Sequence, residues 1–396
     1  MTLVLNSENV LNYLVDCLLV SPQDSEQATV VAQEYKNFNL VVTLASGESL
    51  LVKQERLMPE QGNQCDFWRE QRLYELFQHF TELNDLLALT SEVVYFDPDN
   101  FIIVLRYFSE FSNLSHFYAE DQNQDLPTVI AQNLGQALGQ IHRRTWGQTA
   151  YQYFLAQGQL SDYGIERSPN FLRGLERFGP GIFKNVSTDG LDFWRLYQRY
   201  ESLHKAVVEI AESYQRCCLI HSDLEFRNVL VKDSGAASRA NLDSKNLNVK
   251  LIDWEFFRWG DPAYDLGIVL ASYLDRWLES LVVSQAIPLQ VSLQLAATPI
   301  ERLQPSMTTL VKSYLTEFPQ ILDYQPTFLQ RLTKFTGLVL LKEIQVNIER
   351  HNPFGNNGIC TLQVAKMLLC SPEKSMIEIF GTSHAHLTQT GGVLLC

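Results

Sequence analysis

Three oxygen-bearing side chains stand at spacings that suit phosphate chemistry. An apolar run ending at Ile220 leads into His221, a polar loop then presents Asp223 and Asn228, and a second apolar run follows at once. Further along, Val249-Lys250-Leu251-Ile252 delivers Asp253. Two short strands ending in acidic or amide side chains can bring Asp223, Asn228 and Asp253 around one point. Phosphoryl transfer uses such a set. One carboxylate holds an acceptor hydroxyl, while an Asn and a second carboxylate hold the metal ion that neutralises phosphate charge.

These residues need a scaffold, and the periodicities outline one. Residues 8–20 carry apolar side chains at helical spacing. Segments 41–45 and 49–55 flank Ser46-Gly47-Glu48 and predict a hairpin, followed by a helix over 66–79. A second hairpin is expected where Asp97-Pro98-Asp99-Asn100 separates residues 91–96 from 101–108. Beyond residue 108 the pattern turns helical, with periodic stretches at 129–146, 191–216 and 327–350. Short strands are expected at 217–220, 228–232 and 248–252, and loops over 155–190 and 233–247. The tail 381–396 has no helical period and is expected to be mobile.

The arrangement resembles the protein-kinase-like fold in its small-molecule branch, the aminoglycoside phosphotransferase and choline kinase family. That family's His-x-Asp-x-x-x-x-Asn stretch is matched by His221, Asp223 and Asn228. Its metal aspartate with a following aromatic and acidic residue is matched by Asp253-Trp254-Glu255. Its Gly-Asp-Pro-x-x-Asp-Leu block is matched by Gly260-Asp261-Pro262 and Asp265-Leu266. The order of the three blocks along the chain makes coincidence remote.

The resemblance implies an α+β, bilobal fold, with a small β-sheet N-lobe over 1–107 and a mostly helical C-lobe over 108–380. It implies ATP and Mg²⁺ as cofactors, with Asn228 and Asp253 as metal ligands and Asp223 as the catalytic carboxylate. An upstream strand lysine, Lys53, is expected at the α/β-phosphates, oriented by Glu70 on the next helix, with Glu75 as the rival for that role. His221 and Asp265 are expected to support the loop, and Glu255 to touch metal or substrate. Backbone groups near Arg106 and Tyr107 are expected to meet the adenine. The segment over the phosphates, residues 33–39, contains no glycine. Its turn is expected at Asn37 or Asn39, since Asn tolerates positive φ better than most residues.

Composition narrows the partners. The 396 residues are 46% hydrophobic and 19% charged, enough to bury a large core. With 31 basic and 45 acidic residues, the net charge of -14 disfavours nucleic acid and anionic membranes and mildly favours a cationic acceptor. The seven cysteines include no pair at the two-residue gap of a zinc or redox motif. The first 25 residues hold Glu8, Asp16 and Asp24 without Lys or Arg, unlike a secretory signal. Cytoplasmic location is therefore expected. Gly260 arrives only five residues after Glu255, which leaves no long segment to dock a protein substrate and favours metabolites. The expected reaction is transfer of the ATP γ-phosphate to a hydroxyl of a small molecule, such as an aminoglycoside or amino alcohol. The alternative is a nucleotide-binding pseudokinase, or a kinase-like partner in a peptide-tailoring or natural-product pathway.

Overall fold

In the computed structural model, the residues described are 3–34, 38–55, 66–120, 128–157, 175, 187–232, 249–284, 287, 289–381, 383 and 387–388. The expected loop 233–247 and most of 155–190 and of the tail 381–396 lie outside them.

Five antiparallel strands form the first sheet, in the order β1 (Thr29–Glu34), β2 (Phe38–Thr43), β3 (Ser49–Gln54), β5 (Ile102–Arg106) and β4 (Val93–Asp97). Alternating side chains divide β3 between two faces. Leu50 and Val52 join Leu40, Val42, Ile102 and Val104 in a buried cluster that the helix Val10–Asp16 closes with Val10 and Leu14. Opposite them Leu51 packs with Ile103, Leu105 and Phe67, so the helix Phe67–His79 covers the second face. Lys53 falls on that second face, in register with Asn39 of β2 and Ile103 of β5. The period-2 rule thus turns a strand lysine toward a helix.

Both expected hairpins are present. The first closes with Gly47 at φ +86, a backbone that L side chains rarely adopt. Strand β1 has no counterpart among the elements read from the sequence, because Thr29–Glu34 mixes Gln, Glu and Ala with its valines and alternates weakly. Asn39 lies inside β2 opposite Gln33, not in a turn, and Asn37 lies outside the described residues.

The rest is mostly helical, as expected for an α+β chain with a small sheet. The helix Thr128–Thr145 runs against Ile300–Glu317 at close range. A Cβ on Gly135 would stand 2.3 Å from the Leu310 carbonyl oxygen. The helix Pro262–Glu279 is buried along most of its length and packs on Phe328–Glu349, which packs in turn on Asn356–Cys370. Two small sheets carry the loops: β7 (Cys218–Ile220) pairs with β10 (Arg258–Gly260), and β8 (Val229–Lys232) lies between β6 (Phe111–Asn113) and β9 (Val249–Leu251).

One expected helix is divided. Residues 191–216 contribute to two helices, Thr188–Gln198 and Glu201–Glu212, with Tyr200 non-helical at φ -110, ψ 81. Tertiary contacts hold that break: the Tyr200 hydroxyl accepts from Gln363 at 2.9 Å, and Lys366 sits over its ring. Among the described residues no helix is long and apolar enough to cross a membrane.

Asp261 anchors the central helix. Its side chain accepts from the Ala263 N–H at 3.1 Å as N-cap and pairs with Arg331, and both residues are buried. Asp261→Ala removes the cap and leaves Arg331 buried without its charge partner. Chemical denaturation should show a loss of about 3–5 kcal/mol, and Asp261→Asn, which retains the cap, a smaller loss.

Candidate active site

Strand β7 ends in a loop whose shape is set by one carboxylate. Asp265, 1% exposed, accepts the His221 N–H at 2.7 Å and the Ser222 N–H at 2.8 Å, one on each oxygen. Ser222 adopts φ +72, a left-handed conformation that costs a non-glycine residue about 1–3 kcal/mol. Two hydrogen bonds to a buried anion offset that strain. His142 braces Asp265 from behind, with Nε2 3.4 Å from its Oδ2 and Nδ1 3.1 Å from the Tyr314 hydroxyl.

His221 is fully buried, its ring 4.4 Å from that of Trp254. Nδ1 accepts the Asp223 N–H at 3.3 Å, which makes Nε2 the donor to the Ile252 carbonyl at 2.8 Å. The ring therefore ties the loop bearing Asp223 to the strand end that delivers Asp253.

Asp223, Asn228 and Asp253 converge on those strand ends. Asn228 donates through Nδ2 to the Asp223 carbonyl at 2.6 Å and to its Oδ2 at 3.1 Å, which leaves Oδ1 as the amide's remaining acceptor. The Asn228 carbonyl accepts the Ile252 N–H at 3.0 Å, one residue before Asp253. Asp253 has φ +63 and its side chain is 37% exposed.

The sheet delivers the cation. Lys53 hydrogen-bonds Asp253 Oδ1 and stands 4.0 Å from Glu70 Oε2. Burial works against the Lys53 charge, but the Asp253 and Glu70 carboxylates outweigh it and hold the ammonium above its ordinary range. Burial likewise lifts Asp253, and Lys53 overcomes this to hold the carboxyl low. Glu70 keeps the effect of burial: its carboxyl is pushed up to about 7, with Lys53 opposing. The rival Glu75 instead pairs with Arg72 at 2.7 Å. Beside Glu70, Arg69 donates to the Phe257 carbonyl at 3.1 Å and links this helix to the segment after Asp253.

At the expected adenine contact both backbone N–H groups have partners within the protein. The Arg106 N–H is committed to the Glu92 carbonyl and the Tyr107 N–H to the Ser49 carbonyl, both at 2.9 Å. The Arg106 guanidinium is held by Glu48 and Glu92.

Several residues near Asp223 were not singled out from the sequence. Lys342, on the helix Phe328–Glu349, lies 3.5 Å from Asp223 Oδ1, 3.6 Å from Glu225 and 3.8 Å from Glu343. Arg227 pairs with Glu225 at 3.0 Å and approaches Asp223 Oδ2 at 3.7 Å. Next to them opens a pocket of about 280 Å³, whose walls include Glu225, Asp275, Glu279 and Glu343 against Arg227 and Arg276. The Arg276 guanidinium is turned to the Tyr118 carbonyl at 2.7 Å. Burial, with neighbouring carboxylates adding to it, pushes both Asp275 and Glu343 up to about 7.

Residues 106–287 match the model of the phosphotransferase enzyme family. The match covers Asp223, Asn228, Asp253 and Asp265 and begins after Lys53 and Glu70. The overall fold is that of protein-kinase-like small-molecule kinases. An ethanolamine kinase from Plasmodium vivax superposes over 96% of this chain and 91% of its own, at 11% identity and a TM-score of 0.53. A choline/ethanolamine kinase family protein from Mesorhizobium loti covers 97% and 99% at 14% identity with a TM-score of 0.46. A choline kinase from Streptococcus pneumoniae covers 92% and 99% at 16% identity with a TM-score of 0.43. No curated protein sequence matches the chain.

Glu70 yields a prediction on stability. Its folded pKa, about 7, lies above the ordinary value of 4.5, so the folded state holds the proton more tightly. Unfolding free energy is then lost as pH rises from about 4.5 through about 7. Glu70→Gln removes that titration. Urea denaturation should show the variant gaining on wild type between pH 5 and pH 8, by up to about 3 kcal/mol. A pH-independent difference would contradict this.

Proposed function

We propose that the protein transfers the γ-phosphate of ATP, with Mg²⁺, to a hydroxyl of a small molecule that also carries a cationic amine. The observation that carries this reading is the position of Asp223. Its Oδ2 accepts from Asn228, beside Asp253, and its Oδ1 faces Lys342, which contacts two acids of the open pocket, Glu225 and Glu343. A carboxylate between a metal-binding pair and an acidic cavity suits an acceptor whose hydroxyl must lie near the phosphates while its charge lies in the cavity.

The donor set fits Mg²⁺. Asn228 has committed its Nδ2 and keeps Oδ1, and Asp253 adds a carboxylate held ionised by Lys53. Two such oxygens suit an ion that completes its shell with phosphates and water. When bound, the ion supplies positive charge to the phosphate oxygens. Lys53, oriented by Glu70, meets the α/β-phosphates. Asp223 orients the acceptor hydroxyl and takes its proton, while His221 and Asp265 hold the loop. Adenine is met at the link leaving β5 by backbone groups near Arg106 and Tyr107 other than their committed N–H groups, and Asn37 is assigned to nucleotide binding. In this reading the lobes divide near residue 107, and free cysteines such as Cys218 and Cys360 suit the cytoplasm.

Acceptor charge provides the test. ADP release should be stimulated by amino alcohols or aminoglycosides in preference to neutral isosteres. With Asp275 and Glu343 titrating near 7 among Glu225, Glu279, Arg227, Arg276 and Lys342, the pocket gains negative charge as pH rises from 6 to 8. For a quaternary ammonium alcohol, whose charge does not titrate, KM should fall by about tenfold over that range, because each carboxylate goes from mostly protonated to mostly ionised. A neutral alcohol should show no such fall. Equal pH dependence for the two acceptors would contradict a cation-binding pocket. Nucleotide binding with no acceptor-stimulated turnover would leave a non-catalytic binder.

A further inference from the structure

Lys342 reaches Asp223 from a helix distant in sequence, and no step in the proposed reaction yet uses it. Its ammonium lies 3.5, 3.6 and 3.8 Å from Asp223, Glu225 and Glu343, close to three carboxylates and bonded tightly to none. The side chain is 19% exposed, so the charge is only weakly screened by water. Burial acts to lower its pKa, but the Tyr264 hydroxyl and these carboxylates outweigh it, and the lysine stays protonated. Val339 and Glu343, its helix neighbours, line the open pocket. Lys342 therefore stands at the junction between the pocket and Asp223.

We propose that Lys342 is a further catalytic residue, the cation that meets the transferring phosphoryl group on its acceptor side. This rests on the phosphotransfer reading above. A base must lie within about 2.6–3.2 Å of the atom that bears the proton it takes, so the acceptor oxygen sits against Asp223. A lysine within 3.5 Å of that carboxylate has the reach to contact oxygens of the phosphoryl group arriving there. In the step, the bond between the γ-phosphorus and the β–γ bridging oxygen breaks and its electron pair stays with ADP. The acceptor oxygen bonds to phosphorus, and its proton passes to Asp223. Lys342 keeps all its protons throughout and pairs with negative charge spread over the equatorial oxygens. Lys53 at the nucleotide end and Lys342 at the acceptor end then bracket the moving group.

The test uses a transition-state mimic and needs no acceptor. Magnesium ADP with aluminium fluoride is titrated into the full chain, wild type and Lys342→Met, beside magnesium ADP alone. The variant should bind ADP as wild type does and bind the aluminium fluoride complex about a hundredfold more weakly, since a charge aimed at the transition state acts there and not on the ground state. Lys342→Arg should recover part of the loss. If Lys342→Met is unfolded by its three facing carboxylates, Lys342→Gln replaces it, with the same expectation. Equal affinity of variant and wild type for the mimic overturns the role of Lys342 and leaves the phosphotransfer reading intact. A wild-type protein that binds ADP but gains no affinity from aluminium fluoride overturns that reading and this inference together.

Discussion

The loop that carries Asp223 exists in its observed shape because a buried carboxylate accepts two consecutive backbone N–H groups. Without Asp265, the amides of His221 and Ser222 would be buried donors lacking a partner, and Ser222 would have no compensation for its left-handed backbone. Hydrogen bonds to a charged group contribute about 1.5–3 kcal/mol each, enough to offset strain of about 1–3 kcal/mol. Asp265 is fixed because its helix is fixed: Pro262 opens it, Asp261 caps it, and Arg331 holds Asp261 from the neighbouring helix. His142 and Tyr314 complete the support. Packing deep in the helical part is thereby converted into the placement of the loop that carries Asp223.

Electrostatics joins this loop to the sheet. Lys53 reaches Asp253 across 200 positions of sequence, and Arg69 reaches the Phe257 carbonyl from the helix beside it. Both contacts lie on the face of β3 that the helix Phe67–His79 covers. The carboxylates of Asp253 and Asp223 thus meet cations from two directions, Lys53 from the sheet and Lys342 from the helix Phe328–Glu349. A site holding several carboxylates would repel phosphate if those charges were absent. Their placement on rigid elements, with little exposure, keeps them effective against solvent screening.

What was legible in the sequence was local. His221, Asp223 and Asn228 sit within one short stretch, and Asp253 and Asp265 follow in fixed order, so a contiguous motif brought them to notice. The hairpin around Gly47 and the helix over Phe67–His79 follow from turn chemistry and apolar period, and these place Lys53 and Glu70 on facing surfaces. What escaped depends on tertiary contact. Lys342 is separated from Asp223 by 119 positions and lies on a helix whose period explains only its apolar residues. Asp275 and Glu343 read as ordinary polar positions of amphipathic helices until packing brings them to one pocket. The break at Tyr200 answers to Gln363 and Lys366, which no local pattern reveals. Arg106 and Tyr107 end the strand read from the sequence, but the pairing of their N–H groups with Glu92 and Ser49 is a tertiary feature that no local pattern reveals.

Asp223 offers the most direct measurement. Its replacement by Asn keeps the shape and removes the negative charge and basicity that would orient the acceptor hydroxyl and take its proton. Single-turnover transfer of the γ-phosphate, followed by ³¹P NMR, should be compared for wild type and Asp223→Asn with ATP affinity titrated on the same preparations. Phosphoryl transfer assisted by Asp223 requires a phosphate monoester from wild type and a rate about a hundred- to ten-thousand-fold lower in the variant, at similar ATP affinity. A variant that forms the ester at the wild-type rate would contradict it.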